Sequence, residues 1–593
     1  MSTDTMSSED TISERPTWNS GGEFLMSCIA MSIGLGNVWR FPFTAYENGG
    51  GAFLLPYIVC LFLVGKPVYY LETVIGQFSS KQPVELYAHL APILKGIGAG
   101  QILGVSGVGT YYCTLISITL FYMYHSFTSD FPWAHCKPEW ESDMSECVSV
   151  GKAAKNRSIQ SISSSELWYT NAVLKQTTDI NNGIGLPDLQ LSIFLLVTWS
   201  VLFLITIKGI RSSGKAAYFL ALFPCVIMCT LLIRTVTLEG SVNGILYFLK
   251  PQWKMLVEPK VWYNAITQCF FSLAIASGNL VMYASYNCFT HNVYRDAMIV
   301  TTIDTITSLI SGITIFGVLG NLAHTLKVEV NDVVSGGGAK LAFVSYPDAI
   351  SRFKHVPWLF AILFFAMLFV LGIGSLIGTN VCALSAIKDV YPMVEDWYVS
   401  AAICLVGFLF GLVYVTPGGE FVLVTVDYFL GTFLPFALVI LEMLAICWWY
   451  GVENVCLDIE FMCERRVGSY WRICWSLITP LILIAVFVYC LLSMQPLKNG
   501  KYEVPKMLMM VGWSLFALGI LQPVLHWIIF LFTNRKMGFK QAVRESLSFK
   551  SWGPQNSYLR ADWRQFKVKR LEEVTSTNKS WFVRKIKFLL SMR

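Results

Sequence analysis

Two short stretches of this chain set glycine and small polar residues inside otherwise apolar runs. They are Ser32-Ile-Gly34-Leu-Gly36-Asn37 and Leu273-Ala-Ile-Ala-Ser277-Gly278-Asn279. Such residues weaken a helix, and backbone groups freed in mid-membrane are tolerated only where they line a cavity. A freed N–H at a helix start can receive an anion, and unwound carbonyls with Asn and Ser oxygens suit a cation. A third residue of this kind is Asp304, a carboxylate in mid-span, costly to bury and therefore functional by default. A lone glycine in a membrane helix is more often a packing contact, so the pairing of the two breaks carries the argument. Other chemistry is not signalled. The 7 histidines show no metal-ligand spacing, the 16 cysteines contain no C-x-x-C, and H-E-x-x-H is absent. The expectation is a binding site for small solutes and ions, not an enzyme.

The elements that must position these residues follow from composition. In 593 residues, 54% are hydrophobic and only 14% charged, with mean hydropathy +0.55. Too few charges remain to cover a soluble surface of this size. Charge-free runs such as Gly96–Tyr124, Val261–Tyr294 and Val356–Ile387 each exceed the ~18 apolar residues that cross a bilayer. Apolar runs and their polar breaks predict twelve transmembrane helices, near 23–45, 51–78, 96–127, 189–207, 214–233 and 261–288, then 296–325, 356–388, 397–414, 421–449, 470–493 and 507–533. The predicted fold is therefore an all-α polytopic membrane protein. Its two breaks lie in spans one and six, five apart, as in a 5+5 inverted repeat with a binding site at the midplane. The expected divisions are an N-terminal tail 1–22, a first repeat 23–233, a second repeat 234–449, helices eleven and twelve over 450–533, and a C-terminal tail 534–593.

Charge orients this arrangement. Residues 534–593 hold 15 Lys and Arg against 4 Asp and Glu, although the whole chain is only +6. A basic tail reads as cytosolic, and twelve spans put both termini on that side. The loop 128–188 then falls outside. It carries the sequon Asn156-Arg157-Ser158 and the pair Cys136 and Cys147, which reads either as a disulfide in a glycosylated outer loop or as two free thiols beside a chance sequon. The basic, aromatic segment Trp581–Arg593 is expected to be a solvated tail. No nucleic-acid partner is expected, and the oligomeric state is left open.

Gly34-Leu-Gly-Asn-Val-Trp-Arg-Phe-Pro42 and Glu47-Asn-Gly-Gly-Gly-Ala-Phe53 resemble the first-span signature of the neurotransmitter:sodium symporter family, the solute carrier 6 type. The resemblance continues in Tyr283-Ala-Ser-Tyr-Asn287, in Gly336 to Pro347 and in Thr416-Pro-Gly-Gly419. It covers roughly residues 15 to 530, and within the family the chain looks most like the insect nutrient amino acid transporters. This implies a sodium-coupled symporter importing neutral L-amino acids across the plasma membrane by alternating access. The alternative is a non-transporting member that acts as an amino-acid sensor or partner subunit. A channel would want rings of pore-lining charge, which the sequence lacks.

By the same resemblance, the substrate carboxylate meets the N–H groups around Leu35 and Gly36 and the Tyr112 hydroxyl. Gly34 stands where amine carriers of the family place an aspartate, and so leaves room for that carboxylate. Val108, Phe271, Ala274, Ser277, Ser375 and Thr379 would form a roomy side-chain pocket. The first sodium site maps to the Ser32 carbonyl, Asn37, Ser272 and Asp304; the second maps to the carbonyls of Ala30, Ile33 and Leu371 with Ser375. Chloride would meet Tyr57, Gln268, Ser272 and Ser308. Outer and inner gates correspond to Arg40 with Asp427 and to Arg15 with Asp389, and Trp18 packs nearby. Two departures matter. Asp304 replaces the usual asparagine, which predicts weak chloride dependence and cation selectivity relaxed toward K+ as well as Na+. Gly374 replaces a threonine or aspartate and removes one oxygen from the second sodium site. Glu72 is read as a structural hydrogen-bonding group.

Overall fold

The computed structural model describes residues 16–575 apart from 129, 141–144, 150–159, 178–179, 181–182, 334–339, 354–355 and 500–501. Among these, eight helices are long and apolar enough to cross a membrane. They are Gly51–Ser79, Pro92–His125, Leu189–Thr206, Ile210–Val236, Val293–Leu326, Pro357–Val390, Gly419–Cys463 and Ser469–Leu492. Two bent pairs raise the number to ten: Gly21–Ser32 with Gly36–Glu47, at 44°, and Lys506–Ile520 with Gln522–Thr533, at 45°. The shortest of the eight spans about 27 Å at 1.5 Å per residue, close to the hydrocarbon thickness of a bilayer. The chain is a polytopic helical membrane protein. Strand is confined to two minor pairs, Ser145–Val148 with Gln160–Ser163 and Lys498–Asn499 with Tyr502–Glu503.

Local chemistry explains several boundaries. Asp188 caps the helix Leu189–Thr206 by accepting from the Leu191 N–H at 3.2 Å, and Asn292 caps Val293–Leu326 by accepting from the Arg295 N–H at 3.1 Å. The helix Ser241–Leu249 crosses Val293–Leu326 where both lack a side chain. A Cβ on Gly244 would lie 1.9 Å from the Phe316 carbonyl oxygen, and one on Gly320 would lie 2.5 Å from the Gly244 nitrogen. Small residues permit that close backbone approach. Lys506–Ile520 and Gln522–Thr533 bury little beyond Gly512 and Gly519, while Met507, Leu518, Ile529 and Phe532 are exposed, as suits a lipid-facing helix.

One expected boundary needs correction. The apolar run 421–449 predicts a span that stops before Gly451, whereas helix continues from Gly419 to Cys463. Gly451 takes φ of 100°, which redirects the backbone without a Cβ penalty, and the polar helix Val452–Cys463 runs on. This extension serves as a dock. Asp458, 3% exposed, accepts from the Tyr450 hydroxyl at 2.6 Å and from Trp563 and Trp552 indoles at 2.9 and 3.1 Å, and pairs with Lys567 at 3.4 Å. The C-terminal helix Ser557–Thr575 is thereby held against Phe78, whose ring lies 5.5 Å from Trp552 and 5.8 Å from Trp563. Much of the basic tail is thus a folded part of the molecule. Asp458→Ala removes a buried charge from four donors and leaves Lys567 unpaired, which costs about 3–5 kcal/mol. The expected result is a lower melting temperature of the purified chain and rapid protease cleavage between 547 and 575. Unchanged melting and cleavage would show that the helix is held by other contacts.

Candidate functional site

The first bent span stops being α-helical at Ser32. Ile33 caps it with extended backbone (φ −79°, ψ 90°), and the following helix begins at Gly36. In the gap the Gly34 N–H donates to Asn37 Oδ1 at 3.2 Å, and the Leu35 N–H donates to the Tyr112 hydroxyl at 3.2 Å. Two donors, one backbone N–H and one phenolic O–H, therefore converge on one spot in mid-span. Gly34 borders the same place: a Cβ there would lie 2.6 Å from Ser375 Oγ and 3.2 Å from Tyr112 Oη. Ser375 is held by donating to the Met31 carbonyl at 3.0 Å.

The second break is wider. The helix Pro259–Leu273 ends at Leu273 and helix resumes at Asn279. Ala274, Ala276 and Gly278 all take positive φ, at 51°, 62° and 78°. Two alanines in the left-handed region are costly, and such strain persists only where surroundings enforce it. Here Ser277 Oγ donates to the Ala274 carbonyl at 2.5 Å, and Glu72 Oε1 accepts from the Ala276 N–H at 2.6 Å. Glu72 is the structural hydrogen-bond partner that its position in the sequence suggested.

Between the breaks lies a cavity of about 110 Å³. Ten of the expected residues line it or touch its wall: Gly34, Gly36, Val108, Tyr112, Phe271, Ala274, Ser277, Ser375 and Thr379 face it, and Leu35 offers its N–H. The side chain of Leu35 itself is fully buried and takes no part in the lining. A Cβ on Gly36 would lie 2.7 Å from the Phe271 ring, so glycine there lets the aromatic close over the break. Sequence reading missed Gln101, Leu430, Leu434 and Leu438, which also line the cavity. Leu430, Leu434 and Leu438 follow a four-residue spacing, and Gln101 stands out as an amide within a charge-free run. Both signals were present but point equally to ordinary packing.

The expected first-sodium residues form one hydrogen-bonded group centred on Asp304, which is fully buried. Asn37 Nδ2 donates to Asp304 Oδ1 at 2.7 Å and to Ser308 Oγ at 2.9 Å; Ser272 Oγ donates to the two carboxylate oxygens at 2.8 and 2.9 Å. Asp304 thus stands where cation and anion residues meet, since Ser272 and Ser308 belong to the expected chloride set. The other two members of that set, Tyr57 and Gln268, are buried, and the Tyr57 hydroxyl and both polar atoms of the Gln268 amide have no hydrogen-bond partner. Orphaned donors of this kind fit an anion. At the expected second sodium site, a Cβ on Gly374 would lie 2.6 Å from the Ala30 carbonyl oxygen. Glycine there brings the helices close and supplies no oxygen. Ser375 Oγ stands 3.5 Å from the Leu371 carbonyl oxygen; Ile33 adjoins at the break.

A second cavity, of about 480 Å³, meets the first at Tyr112 and Phe271 and is lined by Arg40 and Asp427. Among the described residues no ion pair joins those two charges. The Arg40 guanidinium lies 4.2 Å from the centre of the Phe271 ring, and Asp427 Oδ1 accepts from the Tyr111 hydroxyl at 2.5 Å. On the opposite side, the Trp18 indole donates to the Tyr283 carbonyl at 3.0 Å and packs against Tyr283 and Tyr286. Asp389 lies near the end of Pro357–Val390. Its expected partner Arg15, the sequon residue Asn156 and the segment 581–593 lie outside the described residues. Cys136 and Cys147 are joined as a disulfide with Cα atoms 5.9 Å apart.

A broken pair of spans around one cavity, with carboxylate donors and an ion cluster beside it, has clear counterparts among known proteins. Relatives named sodium-dependent nutrient amino acid transporter 1 are similar along nearly the whole chain. The one from Drosophila ananassae is 47% identical, with 98% of this chain and 96% of the relative aligned. That from Drosophila melanogaster is 47% identical over 99% and 95%, and that from Drosophila virilis 49% identical over 97% and 93%. The family model described as the sodium:neurotransmitter symporter family matches residues 15–534, and the chain belongs to that family.

Proposed function

We propose that this protein is a sodium-coupled symporter that carries neutral L-amino acids across the plasma membrane, a carrier with no enzymatic step. The observation that carries the reading is the convergence of the Leu35 N–H and the Tyr112 hydroxyl beside Gly34, where no protein carboxylate competes for them. A substrate carboxylate entering there would accept from both, with the start of the Gly36–Glu47 half-helix behind it. Its side chain would lie against Val108, Phe271, Ala274, Ser277 and Thr379, among which there is no charge to match a charged side chain.

The full reading counts twelve spans by adding the short apolar helix Asp396–Gly411 and the broken span Pro259–Ala284 to the ten above. Both termini are then cytosolic, and 23–233 and 234–449 form inverted repeats followed by helices eleven and twelve. Sodium is carried at Ala30, Ile33, Leu371 and Ser375 and at Ser32, Asn37, Ser272 and Asp304. Asp304 relaxes cation choice toward potassium and takes the place of the charge that chloride would bring to Tyr57, Gln268 and Ser308. Asn156 carries a glycan on the outer loop. Arg40 with Asp427 and Arg15 with Asp389 act as the outer and inner gates; the separated Arg40 and Asp427 and the packed Trp18 suit a state open on the outer side.

Uptake and current in cells expressing the full chain test this, with leucine, phenylalanine, methionine, lysine and dopamine offered in turn. Neutral amino acids are expected to evoke sodium-dependent current, and lysine and dopamine none. Tyr112→Phe removes one charged hydrogen bond of about 1.5–3 kcal/mol, so apparent leucine affinity should fall about 10- to 100-fold. Leucine binding without current would mean a ligand site in a protein that does not transport. Tyr112→Phe with unaltered affinity would move the carboxylate elsewhere.

A further inference from the structure

Below the central cavity, two more carboxylates are buried with no cation to pair them. Glu72 in Gly51–Ser79 and Glu442 in Gly419–Cys463 are both 0% exposed. They act on one another electrostatically, and the Tyr87 hydroxyl lies within the influence of both. Each has one satisfied oxygen: Glu72 Oε1 accepts from the Ala276 N–H at 2.6 Å, and Glu442 Oε2 accepts from Gln101 Nε2 at 3.0 Å. The other oxygen of each, Glu72 Oε2 and Glu442 Oε1, has no hydrogen-bond partner. Around them the Tyr87 hydroxyl and Gln101 Oε1 are also buried and unpartnered, in side chains 0% and 1% exposed. Gln101 reaches into the cluster through its bond to Glu442. The other titratable neighbours are Tyr87 and Cys447. Among the described residues no lysine, arginine or histidine forms an ion pair or hydrogen bond with either carboxylate.

Two like charges in a low dielectric, each with a bare oxygen, cannot both stay ionised. We propose that Glu72 and Glu442 form a proton-binding site that holds one proton between them. The proton lies on the unpartnered oxygens, so one carboxylic acid donates and the other carboxylate accepts, and the pair carries a single negative charge. Release gives two carboxylates and one proton passed to water. Gln101, Ala276 and Asn279 also line the central cavity, so water reaching it from below stands one side chain from the pair. Glu72 holds the Ala276 N–H in the unwound segment of the sixth span, which ties occupancy by the proton to the shape of the cavity floor. The binding of a proton needs no transport activity, whereas its effect on uptake rests on the symporter reading above.

Infrared spectra of the purified full chain separate the two. The spectrum of wild type minus that of E72Q/E442Q at pH 7 is expected to show one carboxylic-acid carbonyl band, shifted in heavy water, and one carboxylate. Raising the pH should convert the acid band to carboxylate. Two carboxylates and no acid band would overturn the proposal, as would two acid bands, or carboxylate bands that move with sodium or potassium and not with pH. E442Q alone supplies a neutral hydrogen-bonding group of the same shape and keeps the fold in play. In cells its leucine uptake should stay within about 2-fold of wild type and lose the dependence on cytosolic pH that wild type shows. A wild-type uptake that is flat in cytosolic pH would also count against the site.

Discussion

Asp304→Asn is expected to turn a carrier with broad cation choice and little need for chloride into one that requires both sodium and chloride. The carboxylate sits at the junction of the two ion groups, accepting from Asn37 and Ser272 while Asn37 also donates to Ser308. Its charge serves two purposes there. It attracts a cation without demanding the tight oxygen cage that distinguishes sodium from potassium. It also supplies, beside the unpartnered Tyr57 hydroxyl and Gln268 amide, the negative charge that chloride would otherwise bring. Removing that charge while keeping the shape leaves the cation held by neutral oxygens alone. At ~4 Å and an effective dielectric of about 20, one charge is worth about 4 kcal/mol. Potassium-driven leucine current should therefore fall by at least about 10-fold. Replacing chloride by gluconate, nearly silent in wild type, should then abolish most of the sodium current. If cation selectivity and chloride dependence both survive Asp304→Asn, the aspartate is only a hydrogen-bonded structural residue.

Asp304 also shows what the sequence could and could not disclose. An aspartate in the middle of an apolar run is visible without coordinates, because burying a charge is costly and demands a reason. Its partners were foreseeable only through the family motif, which placed Asn37 and Ser272 beside it. The direction of the Asn37 amide was not. Its Oδ1 faces the Gly34 N–H and its Nδ2 faces the carboxylate, an orientation set by three-dimensional donors. The two broken spans were legible from glycine and small polar residues, and the cavity lies between them. The continuation of helix through Gly451 was not, since a single glycine after an apolar run reads equally as a stop or a turn. Nor was the pairing of Glu442 with Gln101, because 341 positions separate them and neither sits in a recognisable pattern.

Gly34→Asp is expected to abolish neutral amino acid uptake, by about 100-fold or more, with the protein still reaching the surface. Space and charge act in the same direction at this position. Any Cβ would lie 2.6 Å from Ser375 Oγ, so the serine hydroxyl must turn away from the Met31 carbonyl it now meets at 3.0 Å. Ser375 also belongs to the proposed second sodium site, where Gly374 has no oxygen to compensate. Gly34→Ala isolates that steric part and should reduce uptake by roughly 10-fold through weaker sodium binding, with the loss recovered at high sodium. The aspartate adds a second effect that sodium cannot reverse. Its carboxylate would take the Tyr112 hydroxyl and the Leu35 N–H for itself and stand beside the carboxylate of the substrate, two like charges in low dielectric. An amine without a carboxylate escapes that repulsion, so dopamine binding is the outcome to examine in the same cells. Leucine uptake by Gly34→Asp at the wild-type level would remove the substrate carboxylate from the first break, and with it the argument that this carrier selects amino acids over amines.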